Sequence, residues 1–416
     1  MFYGLDVHKE FIQVCRLSAD GKQRQDFRIP ATREAIGPFA RTLTRKDQVA
    51  LEVTFHTWAI CQLLVPHAGR VVPVDAAQVK AIAAARIKTD KVDAHTLAQL
   101  LRADFLPAVR MPSAESWALR QLVSHRRLLL KQQTATKNTI HGVLLRRLQP
   151  LPEGWSPFAQ RTRRWMRALA LPPTERFMLE NALDLLEQIE ARVARVDAQL
   201  LQHARISESA RLLMTIPGID VTVAIGLLAA IDDVRRFPTP QKLAAYFGLV
   251  PCVRQSASHC YHGGITKAGT SSGRHLAIEA AQVLARSASP LAATYYRVRH
   301  KRGHNVAVTA LARKLIHVVW HLLTRREPYR YASVSRTRTK LLRVVSPERN
   351  RNYAVPQTLE GVYAEAGLPA LSAASLAERR AAANNRRCRT RLGCAAGKST
   401  ESKNMQRGHT MGLTKS

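Results

Sequence analysis

Acidic residues are scarce in this chain of 416 residues, which carries 30 Asp and Glu against 64 Lys and Arg. The resulting net charge of +34 favours a polyanionic partner. Nucleic acid is the default polyanion for a large chain in which only 6% of the residues are aromatic. A membrane surface fits less well, because the basic excess is spread over most of the chain instead of forming one basic amphipathic segment.

Long hydrophobic runs and a secretion signal are also missing. No apolar run approaches the ~20 residues that cross a bilayer, and the start, Met1 to Asp6, has no basic region followed by an apolar one. The six cysteines form no CxxC pair, and the cluster of Cys252, His259, Cys260 and His262 matches no zinc module. We therefore expect a soluble, cytoplasmic protein with reduced thiols.

What the sequence does contain is a regular series of short apolar and alternating segments near the N-terminus. The series predicts three antiparallel strands, then a helix, a strand, a helix, a strand and a helix. The predicted strands are 2–7, 11–18, 25–29, 48–53 and 70–74, and the helices are 32–43, 57–66 and the residues leading to Asp90. This βββαβαβα order resembles the ribonuclease-H-like fold of RuvC-type nucleases, in which the first and fourth strands are neighbours.

Four carboxylates occupy the positions where that fold brings side chains together. Asp6 lies on the first strand, Glu52 near the end of the fourth, and Asp90 and Asp93 share one face of a late helix because they are three residues apart. Such close like charges need a cation, supplied by Lys88 and Lys91 or by a divalent metal. Hard oxygen ligands suit Mg²⁺ or Mn²⁺, so we predict that the four acids hold one or two such ions.

The middle of the chain, residues 112–205, predicts long helices. Ser113 can cap a helix that runs to about Leu148. A second helix carries a heptad pattern, in which one apolar position holds Leu179, Leu186, Val193 and Leu200 and the other holds Ala182, Ile189 and Val196. The pattern fits both an antiparallel hairpin within the chain and a dimerising coiled coil, and the sequence does not choose between them.

Residues 206–328 carry two candidate phosphate contacts. The segment Ile216-Pro217-Gly218-Ile219 resembles the turn of a helix-hairpin-helix module, with Gly218 at the phosphate, although an ordinary tight turn between packed helices gives the same pattern. A polar, glycine-rich stretch at 254–274 has the chemistry of a phosphate-contacting loop and includes Arg254, Lys267 and Arg274. Helices follow to about residue 325, and residues 329–416 predict a disordered basic tail.

Several motifs together resemble the DEDD transposases of the insertion-sequence one-hundred-and-ten family, relatives of the pilin-gene invertase. The likeness spans about residues 2–325 and rests on motifs that match in order and spacing. They are Gly4-Leu-Asp6-Val-His-Lys9, Leu51-Glu52-Val-Thr54, Lys88-Thr-Asp90-Lys-Val-Asp93-Ala94, Ile216-Pro-Gly-Ile219, Ala245-Tyr-Phe-Gly-Leu-Val-Pro251 and Gly264-Ile-Thr-Lys267-Ala-Gly269. The resemblance implies a RuvC-like DEDD catalytic domain (1–111), a coiled-coil region (112–205), a mostly helical C-terminal transposase domain (206–328) and the tail (329–416).

The resemblance also implies a chemistry. Asp6, Glu52, Asp90 and Asp93 match the family's metal-binding quartet, and Ser256 matches its nucleophilic serine. The serine would attack a DNA phosphodiester to give a covalent phosphoserine intermediate. A composite site shared between protomers of a dimer or tetramer is implied, with the element ends and the target as DNA partners in the nucleoid. Some members use an element-encoded non-coding RNA, and the basic excess suits RNA as well as DNA.

Three other functions fit parts of the sequence. A junction-resolving RuvC-like nuclease or invertase would use the same acids to direct water, without a serine intermediate. A non-catalytic nucleic-acid-binding protein would use the fold as a scaffold only. A basic protein bound to membrane surfaces is the most distant of the three.

Overall fold

The computed structural model describes residues 1–82, 89–256, 259–345 and 358–379. The chain divides into two units, Met1–Ser113 and Ala114–Ser416. The finer division of residues 112–416 that the sequence suggests stays a prediction.

The first unit contains the predicted mixture of strands and helices. The order βββαβαβα is confirmed, with one further helix at the end. The elements are β1 Phe2–Val7, β2 Phe11–Leu17, β3 Arg24–Pro30, α1 Arg33–Thr42, β4 Gln48–Glu52, α2 Thr57–Leu64, β5 Arg70–Val74, α3 Ala76–Ile82 and α4 Asp90–Arg102.

The five strands form one mixed sheet in the order β3-β2-β1-β4-β5. The pairs β1–β2 and β2–β3 are antiparallel, whereas β1–β4 and β4–β5 are parallel. Leu5 on β1 pairs with Leu51 on β4. The residues that follow them, Asp6 and Glu52, therefore lie side by side near the ends of these two neighbouring strands.

Helices cover both faces of this sheet. Successive apolar residues along its central strands point to opposite faces, so each face has side chains to bury. Leu5 and Leu51 are fully buried and pack with residues of α1 and α2 on one face. Ala50 packs on the other face with Leu97 and Leu101 of α4. Such a two-sided core fixes the register, since a slip of one residue would exchange the two faces.

The second unit begins with two long helices that form an antiparallel hairpin within the chain. They are α5 Ala114–Arg146 and α7 Pro173–Ile206, with the short helix α6 Gln160–Ala168 between them. Ion pairs and hydrogen bonds join them in reversed order, Arg126 to Asp197, Gln133 to Glu190 and Arg147 to Glu175. The predicted heptad residues of α7 are buried or half-buried at this contact and in the adjoining core.

Further helices complete the second unit around one large apolar core. They are α8 Glu208–Met214, α9 Val221–Ile231, α10 Pro240–Tyr246, α11 Ser271–Ala285, α12 Ala292–Arg325, α13 Val334–Val345 and α14 Leu359–Glu365. By length and composition alone α12 could cross a membrane. Its apolar residues, among them Leu311, Leu315 and Val319, are instead buried in the core.

Two sequence-based expectations need correction in this unit. The glycine-rich stretch is not only loop, because it contains the antiparallel strands β6 Pro251–Ser256 and β7 His259–Ile265. Disorder from residue 329 onward is wrong for 329–345 and 358–379, where α13 and α14 bury apolar side chains in the core. The basic residues around α13 conceal its apolar face, which carries Leu341 and Val344.

Candidate functional site

A row of polar side chains crosses the sheet of the first unit at one level. Strand pairing sets Asp6 on β1 beside Gln13 on β2, and Gln13 beside Arg28 on β3. On the other side of Asp6, the parallel pairing of β1 with β4 places Glu52, the last residue of β4, next to it. Adjacent strands lie about 4.8 Å apart, so four polar groups from four strands come within reach of one another.

Gly4 fixes the position of α4 above this row. A Cβ atom at Gly4 would lie 2.0 Å from the carbonyl oxygen of Ala94 and 2.6 Å from the amide nitrogen of Ala98. Only glycine permits such a close approach of the helix backbone to β1. Because Asp6 follows Gly4 by two residues, it lies on the sheet face that α4 covers.

The first turn of α4 supplies the other two predicted acids. Thr89 caps the helix, its side chain accepting a hydrogen bond from the amide of Val92. Asp90 and Asp93 both lie in this turn, where the positive end of the helix dipole favours carboxylates. The sequence and the sheet register therefore bring Asp6 and Asp90 to one place, with Asp93 close enough to act on Asp6 electrostatically.

Two basic side chains, His8 and Arg28, contact the carboxylates of the acidic cluster. His8 Nε2 lies 3.1 Å from Asp6 Oδ2 and 3.4 Å from Asp90 Oδ1. The guanidinium of Arg28 donates to Asp90 Oδ2 at 3.1 Å. Arg28 is itself held in place, because its Nε donates to Gln13 at 2.8 Å and its guanidinium stacks on the Phe11 ring.

Burial and the neighbouring acids make Asp6 costly to ionise. Burial raises the pKa of Asp6 above its ordinary value, His8 opposes that rise, and the charges of Asp93 and Asp90 add to it. One ligand atom each from Asp6, His8 and Asp90 lie within 4.8 Å of one another. The donor set, mainly carboxylate oxygens around a partly desolvated Asp6, therefore fits a divalent cation such as Mg²⁺.

Sequence reasoning missed His8, Gln13 and Arg28. His8 follows Asp6 at the spacing that shares a strand face, which is a weak signal in one sequence. Gln13 is a stronger one, since it is a buried polar residue inside the apolar strand β2. Arg28 can be found only from the register of β2 and β3, which the residues alone do not state.

The predicted nucleophile lies in the second unit. Ser256 is the last residue of β6 and pairs with His259 of β7, but its side chain lies outside the described part of the structure. The side chain of Arg254, on the same strand, lies outside it as well, and so does all of Lys88. Their predicted roles stay predictions.

The remaining predicted nucleic-acid contacts fall at different places. Lys91 is exposed in the first turn of α4, and its carbonyl accepts a hydrogen bond from Arg24. Lys267 is exposed at a positive φ of 55° after β7. Arg274 donates to the carbonyls of Phe247 and Ala268, so it stabilises the local backbone, and its contact with nucleic acid stays a prediction.

The turn around Gly218 separates α8 from α9, as predicted. Gly218 has a φ of 90°, and a Cβ there would lie 2.3 Å from the carbonyl oxygen of Ala280 on α11. The glycine is therefore required by close packing of the turn, which favours the tight-turn alternative. Its contact with a phosphate stays a prediction.

Comparison with known proteins agrees with the layout of these motifs. The IS110 DEDD transposase model matches residues 3–148, and the "Transposase IS116/IS110/IS902 family" model matches residues 210–297. The chain belongs to the IS110 family of transposases. The first match contains the four acids that are predicted to bind metal in this transposase, and the second match contains Gly218 and Ser256.

Curated relatives of the chain are also named as transposases. A "Probable family 20 transposase" of Pseudomonas aeruginosa is 29% identical over 261 residues, which cover 59% of this chain and 75% of the relative. The "Transposase for insertion sequence element IS1111A" of Coxiella burnetii is 29% identical over 251 residues, 58% of this chain and 68% of the relative. Membership of the IS110 family and these relatives support a transposase function, and transposases act on DNA.

Proposed function

We propose that this transposase cuts and rejoins the DNA of an insertion sequence by using a RuvC-like acidic metal site and a serine nucleophile. Asp6, Glu52, Asp90 and Asp93 would hold one or two Mg²⁺ or Mn²⁺ ions, and Ser256 would form the covalent intermediate. The observation that carries the proposal is that Asp6 and Asp90 each bring a carboxylate oxygen within 4.8 Å of the other and of a ring nitrogen of His8. A protein with a net charge of +34 has few other reasons to gather its scarce acids there.

The sheet supports the RuvC-like part of the proposal. Its order, with β1 between the antiparallel β2 and the parallel β4, is the arrangement that a ribonuclease-H-like fold requires. The acids lie at the carboxyl ends of β1 and β4 and at the start of α4. Divalent ions bound there would supply Lewis-acid activation of the attacking oxygen and stabilise charge on the leaving oxygen.

The side chains of the site have separate tasks in this proposal. Asp6 and Glu52 come from the rigid sheet, whereas Asp90 and Asp93 are positioned by the seating of α4 on Gly4. The guanidinium of Arg28 offsets the charge of Asp90, and His8 Nε2 lies within hydrogen-bond distance of Asp6, and these contacts keep the carboxylates close despite their repulsion.

In the proposed covalent step, one phosphorus–oxygen bond forms for each one that breaks. The Ser256 oxygen forms a bond to phosphorus while the bond from phosphorus to one sugar oxygen breaks. The serine loses its proton, and the released sugar oxygen becomes a hydroxyl. Rejoining reverses the exchange when a sugar hydroxyl attacks the phosphoserine, so the energy of the phosphodiester is retained without an external energy source.

The test is an assay for a protein–DNA adduct that resists SDS. Purified protein is incubated with Mg²⁺ and a junction carrying its element ends, with and without RNA from the flanking non-coding region. We expect an adduct with the wild type and none with Ser256→Ala or Asp90→Asn. Ser258→Ala and Glu34→Gln are matched controls, the first a neighbouring serine and the second an exposed acid in the first turn of α1.

Other outcomes would change the assignment. Metal-dependent nicking that survives Ser256→Ala would indicate the nuclease or invertase that uses water. An adduct that persists in Asp90→Asn would contradict the role of the acidic cluster. Dependence of the adduct on added RNA would identify RNA guidance, and the size of the protein–DNA complex before SDS is added would report the predicted dimer or tetramer.

A further inference from the structure

The second unit contains an open cavity that the proposed chemistry does not use. Its volume is about 940 Å³, within the range of ~300–1,000 Å³ for small-molecule sites. Four segments form its wall: the turn around Gly218, the end of α11 with the residues up to Ser289, the residues from Tyr331 to Lys340, and Arg379. All four belong to the same unit.

The cavity is strongly basic. Arg286, Arg336, Lys340 and Arg379 line it, and among the described residues the one lining carboxylate is Asp220. Asp220 is already engaged, because it accepts from the amide of Val221 and from Arg343. The wall therefore has an excess of positive charge that its own acid does not neutralise, and an anionic ligand would complement it.

Two of these cations are available to a ligand. Arg286 and Arg336 are exposed, and within the described part of the chain neither side chain has a hydrogen bond or an ion pair. Arg379 differs, since it lies 3.7 Å from Glu360. Two unengaged guanidinium groups on one cavity wall suit phosphate oxygens, which arginine binds with paired hydrogen bonds.

Lys340 stabilises the wall itself. Its Nζ donates to the carbonyl oxygens of Ile216 and Ile219 at 2.9 Å each and also to that of Met214. Burial lowers the pKa of Lys340 to about 8, and the charge of Asp220 opposes that shift. Because the lysine is committed to the backbone, it holds the turn in shape and leaves ligand contact to the arginines.

The rest of the lining consists of apolar residues and hydroxyl side chains, and it includes one aromatic ring. Val283 is 54% exposed in the cavity wall, close to Gly218, and Tyr331 lines the cavity as well. A double helix presents only phosphates and groove edges, so it would not use such a surface. An unstacked base would, because bases stack on aromatic rings while nearby cations bind the backbone.

We propose that this cavity binds an unpaired nucleotide of a single-stranded nucleic acid, with Arg286 and Arg336 on its phosphates and Tyr331 on a base. The ligand class rests on the proposed function, but binding here needs neither the acidic cluster nor Ser256. Single-stranded DNA at a cleaved end and single-stranded RNA share this chemistry, and the experiment compares them.

The experiment measures fluorescence anisotropy of a short labelled oligonucleotide with the full-length protein at several salt concentrations. Arg286→Gln/Arg336→Gln is compared with Arg192→Gln/Arg195→Gln, which removes two exposed charges from α7 of the same unit. We expect the cavity pair to weaken single-strand binding by about tenfold or more, and to reduce the salt slope by roughly 0.7 for each phosphate that is no longer neutralised. The control pair should change the affinity by less than about threefold, as for surface charges in general.

Tyr331 provides the second arm. We expect Tyr331→Ala to lose roughly fivefold or more in single-strand affinity and Tyr331→Phe to retain it, since the ring does the stacking. Tighter binding of DNA or of RNA would name the source of the nucleotide. Equal losses for the cavity and control pairs, or equal losses on duplex DNA, would overturn the proposal.

The adduct assay on the same variants separates the two proposals. A wild-type protein that binds the oligonucleotide through the cavity yet forms no adduct contradicts the serine chemistry alone. A cavity variant that binds the oligonucleotide as the wild type does, while adducts still form, contradicts the cavity alone.

Discussion

Gly4→Ala is the substitution that tests most directly how the fold builds the acidic site. The new Cβ would lie 2.0 Å from the carbonyl oxygen of Ala94, whereas ordinary contacts begin at 3.4 Å. Helix α4 must therefore retreat from β1 by roughly 1 Å or more. Asp93 directly precedes Ala94 and Asp90 lies one turn earlier, so both carboxylates would move away from Asp6.

The expected losses follow from that displacement. A misplacement of about 1 Å in a catalytic constellation can cost ~10²-fold in rate, so we expect Mg²⁺-dependent cleavage of DNA to fall by about that factor. Overpacking of a core contact costs roughly 1–3 kcal/mol, which urea unfolding would detect. Titration with Mn²⁺, followed by electron paramagnetic resonance, should show weaker binding of the metal.

Gly142→Ala is the matched control, inside helix α5 of the second unit. The nearest atom to its new Cβ is Arg146 Nη1 at 3.6 Å, an ordinary contact, so nothing has to move. Alanine inside a helix should stabilise the protein by roughly 0.5–1 kcal/mol and leave cleavage unchanged. The reasoning fails if Gly4→Ala remains folded, binds Mn²⁺ like the wild type and cleaves DNA within about threefold of it.

Three further substitutions test the charges of the protein. Arg28→Gln removes the guanidinium that competes for Asp90, so we expect the Mg²⁺ concentration for half-maximal cleavage to fall roughly threefold, with no change for the exposed Arg33→Gln. Asp6→Asn should raise metal-free stability at neutral pH by about 1 kcal/mol. The pKa of Asp6 is raised in the folded state, so its ionisation lowers stability as pH rises from the ordinary value of 3.8 through the raised one, and urea unfolding at several pH values should show this fall in the wild type alone. Lys340→Met leaves three carbonyls without their donor and should destabilise the second unit by about 2–4 kcal/mol in urea, whereas the exposed Lys314→Met should not.

Local patterns were sufficient to predict most of the first unit. The alternation in β2 and β3 and the apolar run of β4 reflect which residues fit a half-buried or fully buried strand. The partners of each strand are not local, and the placement of Glu52 beside Asp6 came from resemblance to a known fold. Gln13 and Arg28 were missed for the same reason, because their role depends on the register of three strands.

The second unit shows how charge can hide an apolar pattern. The four basic residues of α13 made it look like part of a disordered tail, yet Thr337, Leu341 and Val344 form a buried face at helical spacing. The strands β6 and β7 were missed because both contain few β-branched or aromatic residues, and β7 contains two glycines, which are depleted in strands.

The scarcity of acids gives the site of the first unit its particular character. A cluster of carboxylates in a protein of this charge lies in a positive field, yet the structure adds two local partners, His8 and Arg28, within 3.4 Å of them. Arg28 cannot simply swing away, because Gln13 and Phe11 hold its guanidinium. Asp90 must therefore exchange or share this partner when a metal binds, and the guanidinium then remains beside the site with its charge available to a DNA phosphate. A site assembled in this way would bind metal more tightly when DNA is present, since the phosphate offsets the repulsion between Arg28 and the metal ion.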